Sequence, residues 1–369
     1  MTAAPRIVVF TPTLSGRDGI SCLAREYVDA LADAAPGRPI GVWTLAAADR
    51  ASVRADAPIT VHAAQGSRIR FVGKTLAAAA TAGPPPLVIV LHLHLLPAAL
   101  PLARRGAPVV PVLIGVESWR PLPALERLAL ASAPRMLSIS AHTVREFTRA
   151  NPRLAAPAIR VCRPVTPPLA PPGPAVVPTA PPYALIVGRL AAEERYKGHD
   201  LLLDLWPAIT ARVPGARLVV AGTGDDLPRL RERAAAGSAG PGVLFTGAVT
   251  DAELAALYRD AAFVVMPSRH EGFGFVFLEA MAAGRACIGG VGAAEEIIED
   301  GRTGLVVDPS DPGAVAAAVV RLFESPAEAE AMGRAGRDRA RDAFGPARLV
   351  ADLREALAPW LPASREPAC

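Results

Sequence analysis

The sequence predicts an α/β protein made of two doubly wound domains that face each other across a cleft, and three observations carry that prediction. Short aliphatic runs of strand type alternate with Ala- and Leu-rich helical stretches along most of the chain. The runs are apolar throughout instead of every second residue, as expected of strands in a parallel sheet covered on both faces. The alternation is interrupted once, from Arg163 to Pro182, by RPVTPPLAPPGPAVVPTAPP.

In chain order, the first half offers strands IVVF at 7–10, LVIVL at 87–91, VVPVLI at 109–114 and MLSI at 136–139. The proline-dense stretch cannot be a helix or a central strand, because proline lacks the N–H and fixes φ, so it reads as a stiff extended linker. Beyond it the strands resume with ALIVG at 184–188, RLVVAG at 217–222, VLFTG at 243–247, AFVVM at 262–266, ACIGG at 286–290 and GLVV at 304–307. Pro346 to Trp360 opens on proline and repeats apolar residues at helical spacing, which predicts a terminal helix docked on a domain. The expected division is 1–165, a linker over 166–182, a second domain over 183–345, and a terminal helix and tail over 346–369 that packs back toward the first domain. Open α/β sheets bind ligands at the carboxyl ends of their strands, so function is expected in the crevice the two domains share.

At 369 residues, with 51% apolar and 20% charged, the chain is long enough for two cores and excludes wholesale disorder. The longest nearly apolar stretch, Leu87 to Ala103, is broken by His92, His94, Pro97 and Pro101, and a span needs about 20 clean residues. The N-terminus reads MTAAPRIVVF, without the pattern of a secretory signal, so a cytoplasmic home is expected. Cys22, Cys162, Cys287 and Cys369 are widely spaced and spell neither a disulfide framework nor a zinc knuckle. Net charge is +4, but residues up to Ala170 carry 19 Lys+Arg against 9 Asp+Glu and the remainder 20 against 26. A cationic front and an anionic rear suggest that the front meets an anionic partner, such as a lipid headgroup or a phosphorylated acceptor, with peripheral contact at the inner face of a membrane as one form of it.

The stretch PSRHEGFGFVFLEAMAAGRACIGG, 267–290, reads as loop, helix, loop and strand. Glu271 in the loop and Glu279 about two helical turns later can face one cleft, and Glu279 is set among apolar residues where an ionised carboxylate needs a partner. Gly272 and Gly274 leave the backbone bare at the helix entrance, where N–H groups and the helix dipole attract an anion. In ALIVGRLAAEERYKGHD, 184–200, a strand is followed by Arg189 and Lys197. Lysine occurs only at 74 and 197 in this arginine-biased chain, and an ammonium paired with a planar guanidinium suits a diphosphate gripped from two sides. A surface pair with Glu193 or Glu194 is the alternative. Gly222 and Gly224 end the next strand in a turn where a nucleotide can approach the backbone, but Leu227 stands at the third-glycine position of a dinucleotide fingerprint, against NAD.

In the front half, Gly16, Arg17, Asp18 and Gly19 join the first strand to an amphipathic helix. LHLHLLP reads as placing His92 and His94 at alternating strand positions facing one side, with His94 nearer the strand end and so the candidate for substrate contact. GVESWR, 115–120, brings Glu117, Ser118, Trp119 and Arg120 to the same rim, with Trp119 either a sugar platform or a packing residue. No metal site is spelled out, and no nucleic-acid partner is expected.

These motifs resemble the retaining glycosyltransferases of the GT-B fold, family 4. EGFGFVFLEAMAAG is similar to that family's E-x7-E motif, GRLAAEERYKGHD to its diphosphate grip, and VVAGTGDD and VLFTGAV to further landmarks of its donor domain; the resemblance covers nearly all of 183–345 and is looser before the linker. It implies that Arg189 and Lys197 bind the diphosphate of a nucleotide sugar such as a UDP- or GDP-hexose, with the backbone at Phe273, Gly274 and Phe275 contacting sugar and phosphate. It further implies Glu271 against the donor sugar, Glu279 on the ribose hydroxyls, Gly16 in the front glycine loop and His94 near the reacting sugar. Ser15–Gly16 and Ile114–Gly115 stand where relatives often carry Gly-Gly and His-Gly. The implied reaction is a metal-independent, front-face hexosyl transfer to an acceptor hydroxyl, without a cofactor. A non-catalytic nucleotide-sugar-binding protein and a nucleotide-sugar epimerase on the same fold are the rival readings.

Overall fold

The computed structural model describes residues 6–16, 18–48, 50–80, 83–237 and 242–361; Arg17, Cys369 and the rest of the tail from residue 362 lie outside the described residues. The chain divides into two compact units, one of residues up to Val165 joined by those from Phe344 onward, the other from Thr166 to Ala343.

The front unit is built on seven parallel strands, β1 (Ile7–Thr11), β2 (Ile40–Thr44), β3 (Ile59–Ala63), β4 (Leu87–Val90), β5 (Val109–Leu113), β6 (Met136–Ser138) and β7 (Ile159–Val161). Their order is β3-β2-β1-β4-β5-β6-β7, with Ile7 in register with Ile40 on one side and Leu87 on the other. Every residue of the central β1 is buried, as a strand covered on both faces requires. On one face Val8, Phe10, Val88 and Val90 enter a single core, where Phe10 stacks on Trp43 at 5.2 Å and meets Phe71 edge-on at 5.1 Å. Helix Pro346–Leu357 starts at its proline, buries Leu349, Leu353 and Leu357, and packs on helix Gly19–Ala34, where Arg354 donates to the Asp33 carbonyl at 2.7 Å.

The rear unit carries six parallel strands, β8 (Tyr183–Val187), β9 (Arg217–Ala221), β10 (Val243–Gly247), β11 (Phe263–Met266), β12 (Ala286–Gly290) and β13 (Gly304–Val307), in the order β10-β9-β8-β11-β12-β13. No helix or strand forms between Val161 and Tyr183. The proline-rich stretch is not a free-standing spacer but is tied to the rear unit: Gly173 donates its N–H to the Ala252 carbonyl at 2.9 Å, and Arg217 donates to the carbonyls of Pro178, at 2.6 Å, and Pro181.

All ten strands read from the sequence form, their ends within one residue of the expected ones, and β2, β3 and β7 add to them. In both sheets the order reverses once, between β1 and β4 in front and between β8 and β11 behind. At such a switch point neighbouring connections leave on opposite faces and open a crevice at the strand carboxyl ends. The Gly16 loop and the His92–His94 turn follow β1 and β4, and the Arg189–Lys197 and Glu271–Glu279 segments follow β8 and β11, the strands flanking each reversal; Glu117–Arg120 and Gly222–Gly224 follow the next strands out, β5 and β9.

Candidate functional site

In the rear unit, β8 runs into Gly188 and Arg189, and a 3₁₀ segment, Ala192–Lys197, returns Lys197 beneath them. A Cβ on Gly188 would lie 3.4 Å from Lys197 Nζ. Glu194 bridges the two cations: Lys197 Nζ donates to its Oε2 at 2.8 Å, and Arg189 donates to Oε1. Lys197 and Glu194 are mostly buried, whereas the Arg189 side chain is 59% exposed. Burial works against ionisation of Glu194, yet the hydrogen bonds from Arg189 and Lys197 hold it below the usual carboxylate range. Of the two alternatives that the sequence leaves open, the pairing with glutamate is the one formed in this structure, and it brings Arg189 and Lys197 together on one carboxylate.

The loop after β9 supports that cluster. Gly222 has φ +143°, and a Cβ there would stand 1.9 Å from the Gly188 carbonyl oxygen; one on Gly224 would stand 2.1 Å from the Leu190 carbonyl oxygen. The room left by these missing side chains is taken by protein backbone, which Leu190 N–H secures by donating to the Thr223 carbonyl at 2.9 Å. Asp225 accepts from the Ala192 N–H at 3.0 Å, and the buried Asp226 accepts from Arg195 at 2.8 Å and Arg229 at 2.6 Å. Hydrogen bonds from Arg229 and Arg195 hold Asp226 well below the usual carboxylate range. Sequence reasoning does not find this brace, because a GDD triplet by itself names no partner.

After β11, the loop from Pro267 leads to helix Phe275–Ala282, with Gly274 at its N-cap in the left-handed region at φ +101°. A Cβ on Gly274 would stand 2.7 Å from Phe277 and 3.6 Å from the Glu271 side chain, so only glycine lets the chain turn this closely into the helix. Burial pushes Glu271 above the usual carboxylate range, while Lys197 and the N–H groups of Gly272 and Phe273, which donate to its carboxylate, pull it back. Arg189, Glu194, Lys197 and Glu271 therefore share one electrostatic neighbourhood beside a helix N-terminus.

Glu279 stands apart from the cations. Its Oε2 accepts from the Tyr258 hydroxyl at 2.6 Å, and burial raises its pKa against that bond. Tyr258, fully buried in helix Asp251–Asp260, is a residue sequence reasoning missed, since nothing in ALYRD marks it as the partner of a glutamate 21 positions on. His199, 5% exposed and with Nε2 unpaired, is likewise unanticipated; burial and then Lys197 push it down to about 4, so it is neutral at physiological pH.

The front unit corrects the reading of its histidines. The strand stops at Val90, and Leu93–Ala99 winds as a 3₁₀ segment, so His92 and His94 do not alternate along a strand. Instead the His92 Nδ1 accepts from the His94 backbone N–H at 3.3 Å as a cap, because the 3₁₀ turn leaves that donor without a partner of its own. Burial, then His94 and Arg120, push His92 down to about 4. The His94 ring is exposed, its Nε2 4.0 Å from the buried Glu126, which Arg120 binds through both carboxylate oxygens at 3.0 and 3.2 Å. Glu126, which supplies this anchor, had no motif to announce it.

The Gly16 loop follows β1. Both carboxylate oxygens of Asp18 are engaged in capping helix Gly19–Ala34, accepting from the N–H groups of Ile20 and Ser21 at 3.0 Å and the Ser21 hydroxyl at 2.8 Å. A Cβ on Gly16 would fall 2.3 Å from Asp18 Oδ2, so the pair makes one tight turn. Glu117 accepts from the Ile114 N–H at 3.1 Å and is raised by burial, and Trp119 packs edge-on against His142 at 5.1 Å. Among the described residues, no group of three or more His, Cys, Asp or Glu gathers as a metal centre.

Comparison with known proteins places a family match on the rear unit. The family described as Glycosyl transferases group 1 matches residues 181–325. A GDP-mannose-dependent alpha-(1-6)-phosphatidylinositol monomannoside mannosyltransferase of Mycobacterium tuberculosis is 43% identical over 150 residues, covering 38% of this chain and 39% of that protein. The matched stretch thus spans well under half of that relative. Two solved structures are similar over 96% of the chain. Sucrose-phosphate synthase from Thermosynechococcus elongatus has a TM-score of 0.78 at 21% identity, with 98% of it covered. Anabaena HepE in complex with UDP and glucose has a TM-score of 0.74 at 17% identity, with 99% covered. Those likenesses establish the fold, and the family match falls on the unit that carries Arg189, Lys197, Glu271 and Glu279. Residues 181–325 thus resemble the group 1 glycosyltransferases, and the two parallel Rossmann-like sheets are those of the GT-B fold.

Proposed function

We propose that the protein is a retaining glycosyltransferase that moves a hexosyl unit from a nucleoside-diphosphate sugar to an acceptor hydroxyl. The observation that carries this reading is the bridge at the β8/β11 switch point, where Arg189 and Lys197 bind two oxygens of one anion, the Glu194 carboxylate, beside the N-terminus of helix Phe275–Ala282. A diphosphate offers the same cations the same kind of oxygen pair with more charge. The relatives' names fit a pyrophosphoryl donor, GDP-mannose in one and UDP in another.

Breaking the anomeric C–O bond leaves negative charge on the diphosphate and oxocarbenium character on the sugar. Arg189, Lys197 and the helix N-terminus stabilise the first, and this is where preorganised charge lowers the barrier. Glu271, held by two backbone N–H groups, orients the sugar and offsets positive charge at the anomeric carbon. The departing phosphate oxygen takes the acceptor's proton as the new C–O bond forms on the same face, so the chain supplies no separate base and the two cations do the work a metal ion would do. Glu279, fixed by Tyr258, is assigned to the ribose hydroxyls, and the exposed His94 to contact with the reacting sugar. The positive balance of the front half supports an anionic or lipid-linked acceptor.

Thermal stabilisation by a panel of UDP- and GDP-hexoses tests the reading, since a ligand of the folded state raises the melting point. One or more should stabilise the protein, Lys197→Ala should weaken that donor roughly ten- to hundredfold, as expected for a charge-assisted contact, and chelation should leave turnover intact. No stabilisation by any of them, or an isomerised donor formed without an acceptor, would overturn it.

A further inference from the structure

We infer that helix Arg68–Ala80 of the front unit is a docking element for an anionic lipid surface, lying on the bilayer in its plane. This goes beyond the transferase reading and does not depend on it.

The helix has two apolar faces. One is used by the fold, where Phe71 and Thr75 are buried and Phe71 closes the core around Phe10. The other has no cover among the described residues: Ile69 is 85% exposed, Leu76 55% and Val72 41%. Spaced i, i+3 and i+7, these three form one stripe, with the small residues Gly73, Ala77 and Ala80 beside it. Isolated exposed aliphatics are ordinary, but a full-length stripe on a helix already anchored by its opposite side is not.

Its surroundings give the occupant's charge. From Ala57 to Val116 the chain carries no Asp or Glu at all, while Arg68, Arg70, Lys74, Arg104 and Arg105 fall within it. On the helical wheel Arg68 and Arg70 flank the stripe at roughly 100° on either side. The Arg105 guanidinium donates to the Ala79 carbonyl at 2.8 Å, which ties the second basic pair to the end of the same helix. Aliphatics between arginines, on a stretch of chain without carboxylates, suit acyl chains beneath anionic headgroups. Nucleic acid would use the arginines but not the leucine and isoleucine. No helix among the described residues is long and apolar enough to span a membrane, so this element would lie on the surface.

Sedimentation of the full chain with phosphatidylglycerol–phosphatidylcholine vesicles, against pure phosphatidylcholine, tests this at low and high salt. The intact protein should bind only the anionic vesicles, and salt should weaken the binding. Arg68→Gln with Arg70→Gln should cost roughly fivefold per charge removed. Ile69→Gln with Leu76→Gln should reduce binding at least as much, and what remains should be abolished by salt. Unchanged melting temperatures and unchanged UDP and GDP binding show that the variants fold, since all four side chains are exposed. The inference is overturned if the intact protein does not bind anionic vesicles, if the aliphatic pair proves irrelevant, or if duplex DNA is bound as well by the aliphatic variant as by the intact chain.

Discussion

Glu194→Gln offers the sharpest reading of the rear site, because the expected sign is opposite to that of an ordinary binding-site mutation. In the free protein the Glu194 carboxylate occupies Arg189 and Lys197, and if these cations hold the donor diphosphate as proposed, donor binding breaks both of its bonds. The Lys197 bond, 2.8 Å long between side chains 15% and 14% exposed, is a charge-assisted bond near the lower end of about 1.5–3 kcal/mol. The Arg189 bond involves a guanidinium 59% exposed, and solvent reduces it to about 0–1 kcal/mol. A glutamine leaves one neutral bond in their place, about 0.5–1.5 kcal/mol. The net relief is about 1 kcal/mol, which corresponds to roughly fivefold tighter binding. Removing a negative charge next to the incoming diphosphate acts in the same direction. Titration calorimetry with UDP and with GDP on wild type and Glu194→Gln at equal salt reads the difference directly. Weaker or unchanged binding in a variant of unchanged melting temperature would refute the competition and make Glu194 a residue that orients the cations.

Two further outcomes follow from the same geometry. Gly224→Ala places a methyl carbon 2.1 Å from the Leu190 carbonyl oxygen, and overpacking against backbone should cost about 1–3 kcal/mol or more, seen as a lower melting temperature together with weaker UDP and GDP binding; an unchanged melting temperature would mean that the loop yields. For Glu271 the folded-state pKa lies above the unfolded value of about 4.3, so its ionised form weakens the fold at neutral pH and the penalty fades as pH falls through that raised value. Glu271→Gln should therefore melt higher than wild type at neutral pH, converge with it in acid, and lose transfer; equal melting at neutral pH would remove the burial argument.

The rear half was the more legible part. Its six strands are short and predominantly apolar, most of them separated by helices, and its candidate site residues are concentrated in two motifs adjacent to β8 and β11. In the front half, β3 and β7 are sheet edges, four of the five and all three of whose residues respectively are not buried, so neither shows the continuous apolar signal of a central strand. The 3₁₀ turn at Leu93–Ala99 was misread for a related reason: LHLHL alternates like a strand, but Leu91 already lies beyond the end of β4 and the chain turns where the sheet ends.

The sequence by itself determined that two parallel α/β sheets would form, where the proline-rich stretch would break them, and which cations and carboxylates follow the central strands of the second. Those features depend on local properties: apolar run length, proline's missing donor, and residue type at a strand end. Only the tertiary structure decided which groups meet. Glu194 between Arg189 and Lys197, Tyr258 on Glu279, Asp226 bracing the β8 loop and Glu126 holding Arg120 are all contacts across a turn or between elements. Their partners are chosen by the folded path of the chain, and residue identity in one dimension carries no record of that path.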